Sequence, residues 1–250
     1  MLTLHHAWAS TCSQKVRLCL AEKGLSYAER LLDLRRFEQL SPAFLALNPD
    51  GMVPVLEHER LVLTESTVIN DYLDDRFPDP PLRPADPAGR ARVGMWNRLV
   101  DEIASPAIKA PSFARNLRPG LRALDDAALD AALARMPDPM VARRWRRAAR
   151  EGFATEELAY AHDRLRLVLG RVEAAMARGP WLAGAAFTLA DINMAPFILR
   201  IEGFEEYDLA RDWPRCRVWL DALRARPAFP AARIVAQGTT TPKEVPAPCA

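Results

Sequence analysis

At 250 residues, half of them hydrophobic and about a quarter charged, the chain has material for two compact domains or one large one. A formal charge of +2 with no long run of one sign argues against a nucleic-acid surface, and no apolar stretch is long enough to span a bilayer. Cys12, Cys19, Cys216 and Cys249 form no CxxC pair and sit at no zinc-ligand spacing, and His5 and His6 interrupt what could otherwise pass for a signal peptide. The expectation is a cytoplasmic protein with reduced thiols, no metal and no membrane or nucleic-acid partner.

The first residues are extended and apolar. A polar turn follows and opens an amphipathic helix over 13–23, with Val16, Leu18, Cys19 and Leu20 on the apolar side and Gly24 as its C-terminal stop. The hydroxyls of Ser10, Thr11 and Ser13 and the thiol of Cys12 therefore crowd one helix N-terminus. Free N–H groups and the helix dipole favour anions there, and the same field lowers a thiol's pKa. The segment reads as a place to hold a thiolate, its own or a bound one.

A strand over 27–34, a short helix over 42–47 and the turn Asn48-Pro49-Asp50-Gly51 come next. A hairpin over 53–57 and 61–64 and a helix over 66–77 complete the order βαβαββα, a small α/β layer of thioredoxin type. A proline-rich stretch follows at 77–84, and the rest reads helical over 87–110, 125–136, 140–178, 189–202 and 214–225. Residues 111–124 read as an irregular loop. The implied organisation is a first domain over 1–78, a linker over 79–87, an all-helical domain over 88–233 and a loosely held tail over 234–250. The basic run Arg143-Arg144-Trp145-Arg146-Arg147 reads as a solvated helix face, since Glu151, Glu156 and Glu157 follow it.

Three further clusters stand out. In Gly51-Met52-Val53-Pro54, a cis Val53–Pro54 bond turns the Val53 N–H and C=O outward to pair with a peptide-like ligand; a trans bond merely ends a loop. At Glu65-Ser66, Ser66 is placed as the N-cap of the next helix. Either it only caps, or its hydroxyl and N–H bind a carboxylate while Glu65 binds an ammonium, the two ends of one zwitterion. Thr188 and Asp191 form a capping box with a structural role, and Trp96, Trp145, Trp181 and Trp219 sit at helical spacing typical of core.

Taken together and in this order, SxCSxKVR, NPxGxVP, TESTVI, the proline-rich stretch and FTLADI resemble the cytosolic glutathione transferases, from Leu2 to about Phe229. The resemblance implies a thioredoxin-like N-terminal domain that binds glutathione as co-substrate, a C-terminal helical-bundle domain that walls an electrophile pocket, and a homodimer. TESTVINDYLDDRFP, LRPADP and the ARMPDP…GF stretch are similar to the bacterial transferases that cleave β-aryl ethers of lignin fragments, with Phe113, Trp145, Tyr160 and Phe197 as candidates for an aryl pocket.

Carried over residue by residue, the resemblance gives Val53 a backbone pairing with the cysteinyl part of glutathione, with cis Pro54 shaping the turn. It gives Glu65 and Ser66 the γ-glutamyl head group and sets Gln39 near the glycine end. Ser10 falls where serine-type classes carry the hydroxyl that donates to the sulfur, and where glutaredoxin-like relatives carry a reactive cysteine. Ser13 falls where the ether-cleaving relatives place theirs. Cys12 leaves the pattern ambiguous, because a cysteine nucleophile would imply thiol reductase chemistry. A non-catalytic ligand-binding member of the fold is the other alternative.

Overall fold

The structure, a computed structural model, describes residues 1–234. A four-stranded sheet in the order β2-β1-β3-β4 is built from β1 (Leu2–His6), β2 (Tyr27–Leu31), β3 (Val55–His58) and β4 (Leu61–Leu63). Leu4 in the inner strand β1 pairs in parallel with Glu29 and antiparallel with Leu56. Leu2 and Leu4 are buried, as the alternation of apolar residues in β1 requires. Helix α1 (Thr11–Glu22) ends as the glycine predicted: Gly24 is left-handed at φ 62°, and the N–H groups of Gly24 and Leu25 return to the carbonyls of Ala21 and Leu20. A short α2 (Pro42–Leu45) and α3 (Ser66–Arg76) complete this domain.

The second domain is helical throughout. It comprises α4 (Pro87–Leu99), a π-helical turn (Val100–Ala104), α5 (Ser105–Asn116), α6 (Arg118–Ala123), α7 (Asp126–Leu133) and α8 (Pro139–Arg150). It continues with α9 (Thr155–Met176), α10 (Leu189–Glu202), α11 (Leu209–Asp212), α12 (Pro214–Arg224) and α13 (Ala228–Ala231).

Several sequence expectations need correcting. Residues 111–124 are not a loop: α5 runs through Pro111, and α6 follows it almost directly. Buried Ala107, Ile108, Ala110 and Phe113 hold that helix against the core, and their packing outweighs the one backbone bond a proline removes. The single helix expected over 140–178 is two, α8 and α9, separated at Gly152, which stands at φ 89°. Helix α1 starts at Thr11, not Ser13, because Ser10 is its N-cap. Ser66 is not an N-cap: Glu65 holds that position at φ 63°, with no capping side chain, and Ser66 is the first helical residue. The tail expectation falls, beyond Ile234, outside the described residues, as does Cys249.

Buried polar bonds join the two domains. Lys15 Nζ of α1 donates to Thr67 Oγ1 of α3 at 2.6 Å and lies 3.3 Å from Asp101 of the helical domain. Asn70 donates to Asn193 at 2.6 Å, and Asn193 to Asn97 at 2.9 Å. The expected capping box is present. Asp191 accepts from the N–H groups of Thr188 and Leu182, from the Thr188 hydroxyl and from Trp219 Nε1, all within 3.3 Å. Burial pushes its carboxyl up to about 6 against those bonds. Asp191→Ala strands several buried donors at once, so it should lower the free energy of unfolding by at least ~3 kcal/mol, read from urea denaturation.

Candidate active site

The site begins at the turn Ala7-Trp8-Ala9-Ser10 between β1 and α1. Every backbone carbonyl in it has a partner. Ser10 N–H donates to Ala7 O at 3.2 Å and Gln14 N–H to Ser10 O at 2.9 Å. The Trp8 carbonyl accepts from both terminal nitrogens of Arg17, at 3.1 and 3.2 Å. The Ala9 carbonyl accepts from Arg200 of α10. The Arg17 guanidinium stacks 4.4 Å from the Trp8 ring centre, and that of Arg233 lies 4.5 Å from it. Burial brings Arg17 and Arg200 down to about 10, so both stay charged at neutral pH.

Ser10 and Ser13 have different jobs in this turn. Ser13 is fully buried; its hydroxyl accepts from Ala7 N–H at 3.3 Å and its own N–H donates to Ser10 Oγ at 3.2 Å. The Ser10 hydroxyl is half-buried and lines a cavity. Capping takes one lone pair of Ser10 Oγ and leaves its proton available. The N–H groups of Thr11 and Cys12, in the first turn, have no backbone or side-chain partner among the described residues.

That cavity, about 960 Å³, lies between the domains. Ser10, Thr11, Cys12, Gln39 and Val53 wall it on one side, and Ser112, Phe113, Trp145 and Arg200 on the other. A volume near the upper end of the ligand-pocket range has room for two ligands side by side. Phe113 meets Trp145 edge-on at 5.1 Å and Phe153 at 5.5 Å. These rings belong to a second apolar cluster in which Phe37 and Leu40 of the first domain pack with Leu121, Leu129 and Leu133 of the second. Trp145 is thus partly a cavity wall and not only core. Tyr160, 67% exposed, and Phe197, deep in the main core, do not line the cavity.

The structure brings Ser10, Cys12, Gln39 and Val53 onto one cavity wall. The Val53–Pro54 bond is cis, beside that wall. Glu65 and Ser66 stand at the start of α3, outside the lining, with Glu65 exposed and Ser66 buried. Gln39 is buried, and its side-chain oxygen has no partner in the protein among the described residues. A buried amide oxygen with no donor is costly unless a ligand supplies one, and a peptide-like ligand carries such N–H groups. Burial pushes the Cys19 and Cys216 thiols up, which leaves half-buried Cys12 as the thiol on the cavity wall among the described residues. The sequence reading missed Arg17 and Arg200. Each was visible as a cation with apolar residues on both sides, in VRLCL and FILRI.

Comparison with known proteins identifies the class. The glutathione S-transferase N-terminal domain model matches residues 9–76, and the C-terminal domain model matches residues 131–227. The chain belongs to the glutathione transferase family, and its co-substrate is glutathione. It is 34% identical over 224 residues to Protein LigF of Sphingobium sp. (strain NBRC 103272 / SYK-6), covering 87% of each chain. The crystal structure of beta-etherase LigF from strain SYK-6 superposes with a TM-score of 0.87 at 32% identity, over 93% of this chain and 98% of that one. Maleylacetoacetate isomerase of Pseudomonas aeruginosa is 31% identical over 244 residues, 96% of this chain and 99% of its own. A theta class glutathione S-transferase from Xanthomonas axonopodis pv. citri, with glutathione bound, has a TM-score of 0.72 at 25% identity, over 94% of this chain and 98% of that one.

The division of labour in the turn is testable without any ligand. Ser13→Ala leaves the Ala7 N–H without an acceptor and should cost about 1–2 kcal/mol of stability. Denaturant midpoints measure it, and a variant as stable as the wild type contradicts the assignment.

Proposed function

We propose that the Ser10 hydroxyl donates to the sulfur of bound glutathione, and that the thiolate so stabilised displaces a phenolate from a β-aryloxy α-keto aromatic. The single observation that carries the first half is the placement of Ser10. It caps α1 with one lone pair, keeps a proton to give, and lines the cavity beside the open N–H groups of Thr11 and Cys12. A hydroxyl, open amides and a helix N-terminus all favour the anion over the neutral thiol, so the ionised fraction at neutral pH rises.

The remaining contacts of glutathione are read from its surroundings together with the family likeness. The Val53 backbone, on the cavity wall, pairs with the cysteinyl residue. Gln39 offers its unpartnered amide oxygen to an N–H near the glycine end. Glu65 takes the γ-glutamyl ammonium and Ser66 its carboxylate, in a subsite at the α3 N-terminus. Support for the electrophile is the likeness to beta-etherase LigF and the Phe113–Trp145 wall. In the reaction the sulfur–carbon bond forms as the carbon–oxygen bond breaks. The neighbouring ketone activates the carbon, and the departing phenolate takes its proton from solvent. We place the enzyme in the cytoplasm as a homodimer. Unpaired thiols at Cys12, Cys19 and Cys216 and the exposed apolar side chains of Met52, Val62, Val68 and Met95 support that placement. No described helix is long and apolar enough to cross a membrane.

A second reading has one observation in its favour: Cys12 shares the cavity wall with Ser10, which would suit a thiol reductase that passes through a mixed disulfide with glutathione. Ser10→Ala separates the two. Losing one hydrogen bond to a charged sulfur should raise the pH at which bound glutathione ionises by about one unit. If Ser10→Ala keeps the wild-type profile while Cys12→Ser is inactive and the wild type forms the mixed disulfide, by intact mass, the reductase reading stands instead.

The head-group subsite is tested by calorimetry. Glu65→Ala should weaken glutathione about tenfold through loss of a charge-assisted bond; unchanged affinity removes Glu65 from the site. For the electrophile, the enzyme incubated with glutathione and a β-aryloxy α-keto aromatic should release the phenol and form the thioether. Turnover of a generic electrophile without phenol release would keep the transferase chemistry and reject the ether substrate.

A further inference from the structure

Arg200 is a cation in a helix whose residues from Leu189 to Ile201 are otherwise apolar or tied into buried networks. Its side chain leaves the helical domain, donates to the Ala9 carbonyl and lies 3.4 Å from Ser112 Oγ of α5. Ala9, Ser112 and Arg200 all line the cavity. Ala9 is joined directly to Ser10. A buried positive charge is therefore anchored one peptide away from the hydroxyl that caps α1.

We infer that Arg200 is a positioning residue for the transferase reaction. Through Ala9 it fixes the turn so that Ser10 and the first-turn amides face the sulfur, and its charge favours the thiolate over the thiol. This rests on the reading that the glutathione sulfur sits at the N-terminus of α1.

The other charged groups near the turn have partners of their own or face water. Arg17 of α1 is committed to the Trp8 carbonyl, and Lys15 to Thr67 and Asp101. On α12, Arg217 and Arg224 are paired with Glu202 at the end of α10. The other charged side chains of the cavity, Asp33, Arg35, Glu38, Asp50, Lys109, Asp138 and Arg144, are exposed, where water and salt screen them. A buried cation acts across a poorly screening medium and has the larger effect on a nearby titrating group. Because it also fixes backbone, its influence reaches both the ionisation of the sulfur and the geometry of attack.

The test is an ultraviolet titration of the thiolate of glutathione bound to the full chain, with circular dichroism as the check on folding. In Arg200→Met and Arg200→Gln the pKa of the bound thiol should rise by about one unit or more, the size expected for loss of a close opposite charge. In Arg200→Lys, which keeps the charge, more than half of that rise should be recovered. Turnover at neutral pH should fall with the thiolate fraction and recover as pH is raised. A merely structural role would lower stability without moving the thiol. A wild-type pKa in both neutral variants, or a Lys variant shifted as far as the Gln variant, overturns the inference. If neither neutral variant folds, the Lys variant decides, since a bound-thiol pKa about a full unit above wild type contradicts a charge role. If the wild type itself binds no thiolate, it is the glutathione reading that fails, and the two outcomes are distinct.

Discussion

Between the last residue of β1 and the first of α1 the backbone must reverse inside the protein, and the carbonyls of Trp8 and Ala9 have no strand or helix to receive them. A buried unpaired carbonyl costs about 1–3 kcal/mol, so the turn can exist only where other groups supply donors. Here the donors come from two arginines far apart in the chain. Arg17, two turns along α1, takes the Trp8 carbonyl, and Arg200, in the middle of the helical domain, takes that of Ala9. Ser13 secures the amide of Ala7 from below. With the turn held on these sides, what remains open is the N-terminal face of α1: the Ser10 hydroxyl and the amides of Thr11 and Cys12. The proposed anion site is what is left unsatisfied once the turn is satisfied.

The same bonds explain why the site needs both domains. Each arginine is costly to bury, and each has a backbone acceptor in the other domain: Arg17 also donates to the carbonyls of Ala232 and Arg233, and Arg200 to that of Ala9. The asparagine chain Asn70–Asn193–Asn97 ties α10 to α3 and α4, and the Lys15–Thr67–Asp101 cluster ties α1 and α3 to the π-helical turn. The cavity lies between the first turn of α1 and the aromatic wall of α5 and α8. The second apolar cluster closes the far end, because Phe37 and Leu40 from the first domain are part of it. Pocket shape and the thiol chemistry proposed for it therefore depend on one interface.

Much of this is written locally in the sequence. The polar run ahead of KVRLCL, the turn Asn48–Gly51 before Val53-Pro54 and the Thr188–Asp191 box each contain their own reason for folding as they do. The thioredoxin-like order of the first domain follows from such signals. The places where the pattern misleads are those where a distant partner decides. Pro111 looks like a breaker until the core side of α5 is seen to hold it. Ser66 looks like a cap until the backbone at Glu65 turns left-handed and takes the cap position. Between Ser10 and Ser13 spacing alone gives no choice, since both flank the helix start; the Ala7 amide, bonded to the Ser13 hydroxyl, favours Ser10. Arg200 meets Ala9 across 191 residues of sequence, and no periodicity announces a carbonyl that needs a donor.

The account turns on one contact, and a crystal structure of the protein with glutathione bound shows it directly. The sulfur should lie within hydrogen-bond reach of Ser10 Oγ, about 3.2–3.5 Å away as befits sulfur, over the first turn of α1, with the cysteinyl backbone paired to Val53 and Arg200 still on the Ala9 carbonyl. A sulfur bonded covalently to Cys12, or one facing a Ser13 turned out of its place beneath Ala7, would contradict it.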